Sequence, residues 1–260
     1  MKGISGKVVV YTGAAGLIGR AACLALAKAG AKLAMIDPNR AGLDALDQEI
    51  KAEFGAETLK LSDVDTSRTS SINSAISKIE TSLGSIDILV NCAYPRTSDW
   101  HAKFENIPED SLRENIDSHL NSYFLMCQCV APRMILRRSG CIVNFSSVYG
   151  LVGPDFEVYA GVEGMTMPAA YSVIKGGISN FTRYLASYLG KHGIRVNAIC
   201  PGGVEDRQNP SFIAKYIERT PMRRMANTED IVGPLLFLVS DHASYITGVN
   251  LPVDGGWTAI

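Results

Sequence analysis

Short apolar runs alternate with longer segments of helical apolar spacing along the chain. Strands are predicted at residues 8–11, 32–36, 58–61, 86–90, 141–145, 195–199 and 249–251. Helices are predicted at 17–29, 41–54, 69–83, 110–138, 171–189 and 228–239, and we expect 110–138 to be interrupted near Pro132. Repeated strand–helix–strand units predict an α/β fold, in which helices cover both faces of a doubly wound parallel sheet.

Composition and charge restrict the class of protein. The 260 residues carry 25 Lys and Arg against 26 Asp and Glu, a net charge of −1, and 47% of them are hydrophobic. No low-complexity linker divides the chain, so we expect a single domain over residues 1–260. The balanced charge gives no indication of a nucleic acid or an acidic membrane as partner, and we expect neither.

The six cysteines are scattered through apolar stretches without a CxxC pair, and the four histidines lie far from them in the sequence. This pattern predicts neither a disulfide framework nor a metal site. The apolar run at 8–18 contains two glycines and leads directly into a helical segment, which is unlike a signal peptide. No apolar stretch is long enough to span a membrane. We therefore expect a cytoplasmic protein.

A glycine-rich turn follows the first predicted strand and opens the first predicted helix. Gly13, Gly16 and Gly19 surround Leu17 and Ile18 in this turn. Glycines allow a tight turn and a close approach of pyrophosphate to the amides at the helix N-terminus. A plain strand–helix connection would also contain glycines, but the position in the first strand–helix unit favours a dinucleotide site and a Rossmann-type domain.

Asp37 ends the second predicted strand, 18 residues after Gly19. A carboxylate there accepts hydrogen bonds from the ribose hydroxyls of NAD and repels the 2′-phosphate of NADP. Asp37 could also simply begin a turn, and Arg20 or Arg40 could meet a phosphate. We expect NAD to be preferred over NADP.

Tyr171 and Lys175 lie at positions i and i+4 of a predicted helix and therefore on the same face. A neighbouring ammonium, together with the positive charge of an oxidised nicotinamide, stabilises a phenolate and lowers the pKa of a tyrosine. In isolation such a pair is common on helix surfaces, so its meaning depends on the other motifs.

Together these motifs resemble the short-chain dehydrogenase/reductase family over essentially the whole chain. The matching segments, in the order of the family, are the glycine turn, 63–64, 91–93, 144–147, 171–175, 195–197, 201–202 and 253–256. The resemblance implies that Ser147 holds the substrate oxygen, Tyr171 exchanges its proton, and Lys175 binds the nicotinamide ribose and tunes Tyr171. Ser146 is the neighbour that could be mistaken for the catalytic serine.

The resemblance also implies a set of residues that contact the cofactor. Asp63 and Val64 would flank the adenine, and Asn91 and Ala93 would line the cofactor cleft. Val204, after Pro201 and Gly202, would lie beside the carboxamide, and Tyr171 and Lys175 would face the nicotinamide ribose.

Several positions differ from the common pattern of the family. Leu17 stands where the middle glycine usually is, and Cys92 and Tyr94 replace the usual asparagine and glycine. Ser147 and Tyr171 are 24 residues apart, which indicates an insertion at about 150–170 beside the site. Tyr159 has the ordinary spacing, but Glu163 follows it in place of lysine and would raise the pKa of a tyrosine.

His119 stands where the family has an asparagine that helps to hold a water connecting the active-site lysine to solvent. The histidine could keep a polar contact there, titrate as a second group, or be a satisfied core histidine.

The segments at 91–96, 119–120, 156–159, 165–168 and 201–203 resemble a subgroup, the flagellin-modification dehydrogenases that make surface sugars. That resemblance implies a sugar, amino-sugar or sugar-nucleotide substrate, with Arg96 either a ligand for an anionic group or a solvated loop residue. Met165 and Met167 in the insertion suit a substrate lid, and Met222 and Met225 fall in a region that covers the substrate in the family.

The sequence thus predicts an NAD-dependent oxidoreductase that interconverts a secondary alcohol and a ketone of a small-molecule substrate. An NADPH-dependent 3-oxoacyl-thioester or general carbonyl reductase is the alternative within the family, and a non-catalytic NAD sensor is the alternative outside enzymes. The family resemblance further implies a homo-oligomer, either a tetramer or a dimer.

Overall fold

A seven-stranded parallel sheet forms the centre of the protein in the computed structural model, which describes residues 2–260. Its strands are β1 (Val8–Thr12), β2 (Lys32–Ile36), β3 (Thr58–Leu61), β4 (Ile86–Asn91), β5 (Gly140–Phe145), β6 (Ile194–Pro201) and β7 (Asn250–Val253). The spatial order is β3-β2-β1-β4-β5-β6-β7. The predicted fold class, a doubly wound α/β sheet of Rossmann type, is confirmed.

Eight α-helices connect the strands. They are α1 (Leu17–Lys28), α2 (Arg40–Phe54), α3 (Thr69–Ser82), α4 (Glu109–Asn115), α5 (Ser122–Arg137), α6 (Ala169–Leu189), α7 (Pro210–Arg219) and α8 (Thr228–Val239). The hydrophobic pattern predicted all of these regions except α7, whose helical character we did not expect.

The sequence predicted an interruption of the long helical region near Pro132, and this prediction is wrong. Pro132 lies inside α5, whereas the irregularity is a π-helical stretch at Ile116–Asn121 that joins α4 to α5. A proline removes one backbone donor from a helix, and neighbouring packing can hold the helix together around it. The π-helical stretch carries His119 towards the interior, where this residue is fully buried.

Helices pack on both faces of the sheet because the five inner strands, β1, β2, β4, β5 and β6, carry apolar side chains on both sides. Helices α1, α2 and α8 bury one face, with Leu26, Leu43 and Leu235 in that core. Helices α3, α5 and α6 bury the other, with Ile76 and Leu185 in the second core. Strands buried on both faces explain the nearly continuous apolar runs in the sequence.

The strand order places a crevice at the carboxyl edge of the sheet. Strand β1 pairs with both β2 and β4. From β1 the chain continues to β2 and β3 on one side of the sheet, and from β4 it continues to β5, β6 and β7 on the other side. In open α/β sheets a ligand binds where the order reverses in this way. No helix within residues 2–260 is long and apolar enough to cross a membrane.

Leu89 of β4 is fully buried, and we expect Leu89→Ala to destabilise the protein by about 2–5 kcal/mol because the substitution leaves a cavity in the core. Leu136 on α5 is 85% exposed, and Leu136→Ala serves as a matched control with an expected change within about 0.5 kcal/mol. Urea unfolding followed by circular dichroism measures both. Equal effects of the two substitutions would contradict this description of the core.

Candidate active site

A cleft of about 720 Å³ lies over the carboxyl ends of β1, β2 and β4. One wall is the turn from β1 into α1, where Gly16 caps the helix without a side-chain hydrogen bond. The first amides of α1 therefore face the cleft without a side-chain partner, and an anion such as pyrophosphate fits there.

Gly19 shows why this turn requires a residue without a side chain. A Cβ at this position would lie 2.0 Å from the carbonyl oxygen of Gly13. The helix and the turn can therefore touch only when residue 19 is glycine. The shape of the cleft and its exposed helix terminus fit a dinucleotide cofactor.

Asp37 lies in the cleft at the end of β2, and its carboxylate is oriented by two backbone amides. Its Oδ2 accepts a hydrogen bond from the amide of Ala15 at 3.0 Å, and its Oδ1 accepts one from Asn39 at 2.9 Å. Of the two arginines considered as phosphate ligands, Arg20 forms an ion pair with Glu49, while Arg40 is exposed at the start of α2.

Most of the residues predicted to contact a cofactor line this cleft or the pocket that adjoins it. They are Gly13, Gly16, Leu17, Ile18, Gly19, Asp37, Val64, Ala93, Tyr171, Lys175, Pro201, Gly202 and Val204. Two others lie elsewhere. Asp63 forms an ion pair with Lys78 at 3.7 Å, and it is Asp65 that lines the cleft beside Val64. Asn91 is fully buried beneath the cleft, where its amide donates to Asn144.

Ser147, Tyr171 and Lys175 line one pocket of about 370 Å³ next to the cleft. Ser147 follows β5, whereas Tyr171 and Lys175 lie one turn apart at the start of α6. Gly150 allows these elements to approach, because a Cβ there would lie 2.5 Å from the carbonyl oxygen of Lys175. The fold thus brings together three side chains that are distant in sequence.

The two serines after β5 have different surroundings. The Ser146 hydroxyl donates to the carbonyl of Lys175 at 2.9 Å and lies 2.7 Å from the Ser179 hydroxyl, which ties it to α6. The Ser147 hydroxyl accepts a 3.2 Å hydrogen bond from the amide of Tyr149 and lies beside the Tyr171 hydroxyl. Ser147 is therefore the serine that can still donate its proton to a bound molecule.

Lys175 is buried, and its ammonium has few but specific partners. It donates to the carbonyl oxygen of Phe145 at 2.7 Å and to Nε2 of His119 at 3.3 Å. Aromatic rings of Tyr94, Tyr123 and Tyr171 lie 5.6–5.8 Å from its Nζ. Burial lowers the pKa of Lys175 to about 8, because the charged form loses its hydration.

Burial also raises the pKa of Tyr171 well above its usual value, while the adjacent Ser147 hydroxyl acts in the opposite direction. We expected the Lys175 ammonium to lower this pKa. In the protein alone the loss of hydration of a phenolate dominates, so the neutral phenol is favoured. The expected lowering also depends on the positive charge of an oxidised nicotinamide.

His119 makes the direct contact with Lys175 that the sequence left open. Since Lys175 donates to Nε2, the imidazole is neutral and carries its proton on Nδ1. Burial and the charge of Lys175 hold the pKa of His119 well below its usual value. Nδ1 is buried without a hydrogen-bond partner among residues 2–260, so His119 is not a fully satisfied core histidine.

Aromatic side chains form much of the pocket wall, and no sequence motif assigns most of them to the site. These residues are Tyr94, Trp100, Tyr149, Tyr159, Phe212 and Tyr216. They come from three separate segments, 94–100, 149–159 and α7, so no spacing along the chain marks them. The excess of aromatic residues in 149–159 and in α7 was the one available signal.

Residues 150–170 border this pocket and contact α7. Tyr159 and Phe212 have ring centroids 5.3 Å apart, and Met165 and Met167 line the pocket beside them. Met225 also lines it, whereas Met222 borders a smaller adjoining cavity. Arg96 lies on the cofactor cleft, with its guanidinium 5.5 Å from the ring of Tyr94.

Comparisons with known proteins agree with this geometry. A family model described as enoyl-(acyl carrier protein) reductase matches residues 13–258. The post-translational flagellin modification protein A of Campylobacter coli is 34% identical over 257 residues, which are 98% of this chain and 99% of that protein. A probable galactose dehydrogenase of Rhizobium meliloti (strain 1021) is 35% identical over 254 residues, 95% of this chain and 93% of that protein.

A crystal structure of NAD+-bound xylitol dehydrogenase superimposes with a TM-score of 0.87 at 29% identity, covering 98% of this chain and 100% of that one. This chain belongs to the short-chain dehydrogenase/reductase family. As a short-chain dehydrogenase/reductase it is an oxidoreductase that acts on alcohols and ketones. The chemistry of this family is carried by a cofactor, while the protein supplies orientation and proton handling.

We expect Gly19→Ala to lower the Tm of this dehydrogenase/reductase and to abolish cofactor binding, because the new Cβ would collide with the Gly13 carbonyl. Gly233→Ala in α8 is the matched control. A Cβ at this helical position meets nothing within 4 Å. Because alanine has a higher helix propensity than glycine, we expect this control to raise the free energy of unfolding by about 1 kcal/mol. Differential scanning fluorimetry with and without NADH measures both effects. Unchanged NADH binding in Gly19→Ala would contradict the role given to the turn.

Proposed function

We propose that this enzyme interconverts a secondary alcohol and a ketone on a sugar-type substrate with NAD(H), using Ser147, Tyr171 and Lys175. One observation carries the proposal. A potential hydrogen-bond donor, a proton-exchanging phenol and a buried ammonium line one pocket, and this pocket opens onto a cleft that fits a dinucleotide. The similarity to a probable galactose dehydrogenase and to a xylitol dehydrogenase supports a polyhydroxylated substrate.

The roles of the three residues follow from their surroundings. Ser147 donates a hydrogen bond to the reacting oxygen, since its hydroxyl lies beside Tyr171 in the pocket and, unlike that of Ser146, is not held by a backbone carbonyl. Tyr171 accepts the hydroxyl proton in oxidation and returns it in reduction. Lys175 places a positive charge beside the Tyr171 ring and stabilises the phenolate. NAD(H), when bound, supplies the hydride acceptor or donor.

His119 holds Lys175 in place for these roles. The neutral imidazole accepts a hydrogen bond from the ammonium without adding a competing charge, and the Phe145 carbonyl accepts a second. Burial raises the pKa of Tyr171, so the phenol is protonated near neutral pH. Reduction therefore starts from the required protonation state, whereas oxidation gains rate as the pH rises.

The preference for NAD over NADP rests on Asp37. Two backbone amides orient its carboxylate at the end of β2, where an adenosine 2′-phosphate would meet a negative charge. The same charge argues against the alternative of an NADPH-dependent 3-oxoacyl-thioester reductase. The buried Ser147 and Lys175, together with the half-buried Tyr171 in the same pocket, argue against a non-catalytic NAD sensor.

Assembly and location complete the proposal. Aromatic side chains on the outer sides of α5 and α6 remain exposed, including Phe124, Tyr184 and Tyr188. Such a surface suits burial against a second copy of the chain, so we place this enzyme among homo-oligomers, as a tetramer or a dimer. Its six cysteines are free thiols, in keeping with a reducing cytoplasm.

Tyr171→Phe tests the reaction. We expect turnover to fall by about 10²–10⁴-fold, the usual contribution of general acid–base catalysis, while the Kd for NADH changes little. Tyr245→Phe, at a fully exposed position, is the control. Steady-state rates and fluorescence titration with NADH provide the two measurements. Near-normal activity of Tyr171→Phe would refute the mechanism.

Asp37→Asn tests the cofactor preference. Asparagine keeps an oxygen for the Ala15 amide but removes the charge, so binding of NADPH should improve relative to NADH by about tenfold or more. Fluorescence titration of wild type and variant with both cofactors measures the ratio. If wild type binds NADPH more tightly than NADH, Asp37 does not determine the choice and the thioester-reductase alternative gains support.

A further inference from the structure

The pocket beside Ser147 carries almost no charge. Of its lining residues within 2–260, none has a carboxylate, and only Lys175 and His101 can carry a positive charge. The Lys175 ammonium already donates hydrogen bonds to the Phe145 carbonyl and to His119. His101 lies at the exposed rim near the carbonyl of Thr166. A charged substituent of a substrate would therefore lose hydration in this pocket without gaining an ion pair.

The basic residues that surround the pocket are engaged elsewhere. Arg219 forms an ion pair with Asp155 at 3.2 Å, and Arg224 forms a bidentate ion pair with Asp230. Lys215 donates to backbone carbonyls of the 150–170 segment. These contacts engage Lys215, Arg219 and Arg224 away from the pocket, so none of the three is placed to receive a phosphate there. Arg96 faces the cofactor cleft instead.

One polar group in the pocket wall lacks a partner. Tyr149 is only 7% exposed, lines the pocket, and its hydroxyl makes no hydrogen bond to any residue from 2 to 260. Its amide donates to the Ser147 hydroxyl, and its ring packs edge-on against Trp257 at 6.2 Å. The phenol is therefore held in position two residues from Ser147. Its hydroxyl lies close to that of Tyr159 without forming a well-aligned hydrogen bond, so its proton is available to a ligand hydroxyl that reaches it.

We propose that this pocket selects uncharged polyhydroxylated substrates, and that the Tyr149 hydroxyl forms a hydrogen bond with a substrate hydroxyl other than the reacting one. This inference rests on the proposed function, because it concerns the substrate of the same site. It narrows the sugar, amino-sugar and sugar-nucleotide classes to neutral sugars and sugar alcohols.

Two physical arguments carry the inference. Aromatic walls such as Trp100 and Phe212 pack against the apolar faces of a sugar ring, while its hydroxyls need separate polar partners. A buried phenol without a partner is unfavourable, and a ligand hydroxyl removes that penalty only if it reaches Tyr149. A site built to bind a hydroxyl discriminates strongly against analogues that lack it.

Binding can be measured without turnover, because both tryptophans of the chain lie at the site. Trp100 lines the pocket, and Trp257 packs against Tyr149 and Tyr216. We would titrate the NADH-saturated protein with xylitol, D-galactose, galactosamine and galactose phosphate, following tryptophan fluorescence. The expected result is a Kd for xylitol or galactose at least about tenfold lower than for the charged probes.

Tyr149→Phe tests the assigned residue, with Tyr245→Phe as the exposed control. We expect the Kd of the neutral sugar to rise about tenfold in Tyr149→Phe, whereas the Kd of cyclohexanol, which has no second hydroxyl, stays the same. In wild type, one of the monodeoxy derivatives of D-galactose should show the same loss, and Tyr149→Phe should not weaken that derivative further. The comparison of D-galactose with its monodeoxy derivatives uses wild-type protein and therefore does not depend on the folding of a variant.

Equal or tighter binding of galactosamine or galactose phosphate would overturn the proposal, as would an unchanged Kd for the neutral sugar in Tyr149→Phe. The proposed reaction is judged separately. If cyclohexanol is oxidised with NAD+ in a Tyr171-dependent manner but no neutral sugar binds, the proposed reaction and its catalytic residues stand, and the inference about selectivity fails. If neutral sugars bind selectively but Tyr171→Phe does not reduce turnover, only the proposed catalysis fails.

Discussion

The burial of the Lys175 ammonium is the constraint on which the site depends. A charge removed from water requires close partners, and here these are the Phe145 carbonyl, the His119 imidazole and the faces of three tyrosine rings. Each partner comes from a different element, namely β5, the π-helical stretch and the surrounding loops and helices. The ammonium is stable only when all of these elements have assembled, so the chemistry and the fold are linked.

The same constraint explains the irregular helix between β4 and β5. A π-helical stretch often marks a functional position, and here it carries His119 to the buried end of Lys175. The neutral imidazole accepts one of the ammonium's hydrogen bonds while burial holds its own pKa low. A protonated imidazole would repel the Lys175 ammonium, and the neutral form of His119 causes no such repulsion.

The segment at 150–170 gives the pocket its aromatic and uncharged character. Tyr159 packs against Phe212 of α7, and Asp155 pairs with Arg219 at the end of that helix. The segment thus closes the pocket on one side and neutralises a nearby charge on the other. The proposed selectivity for neutral polyols depends on both effects, since an unpaired arginine here would attract anions.

Much of the molecule followed from the sequence alone. Apolar alternation predicted the parallel sheet and its helices, and glycine spacing predicted the close turn at α1, because both patterns depend on local backbone geometry. The motif residues also identified Ser147, Tyr171 and Lys175 as a group.

Only the tertiary structure decided their surroundings. It moved the helix irregularity from Pro132 to the π-helical stretch at Ile116–Asn121. It placed Asp63 outside the cleft and brought His119 against Lys175. It also left the Tyr149 hydroxyl without a partner. These features arise from contacts between residues far apart in the chain, and such contacts leave no periodic signal in the sequence. The local pattern therefore determined the elements, while packing determined the charge, the protonation and the lining of the site.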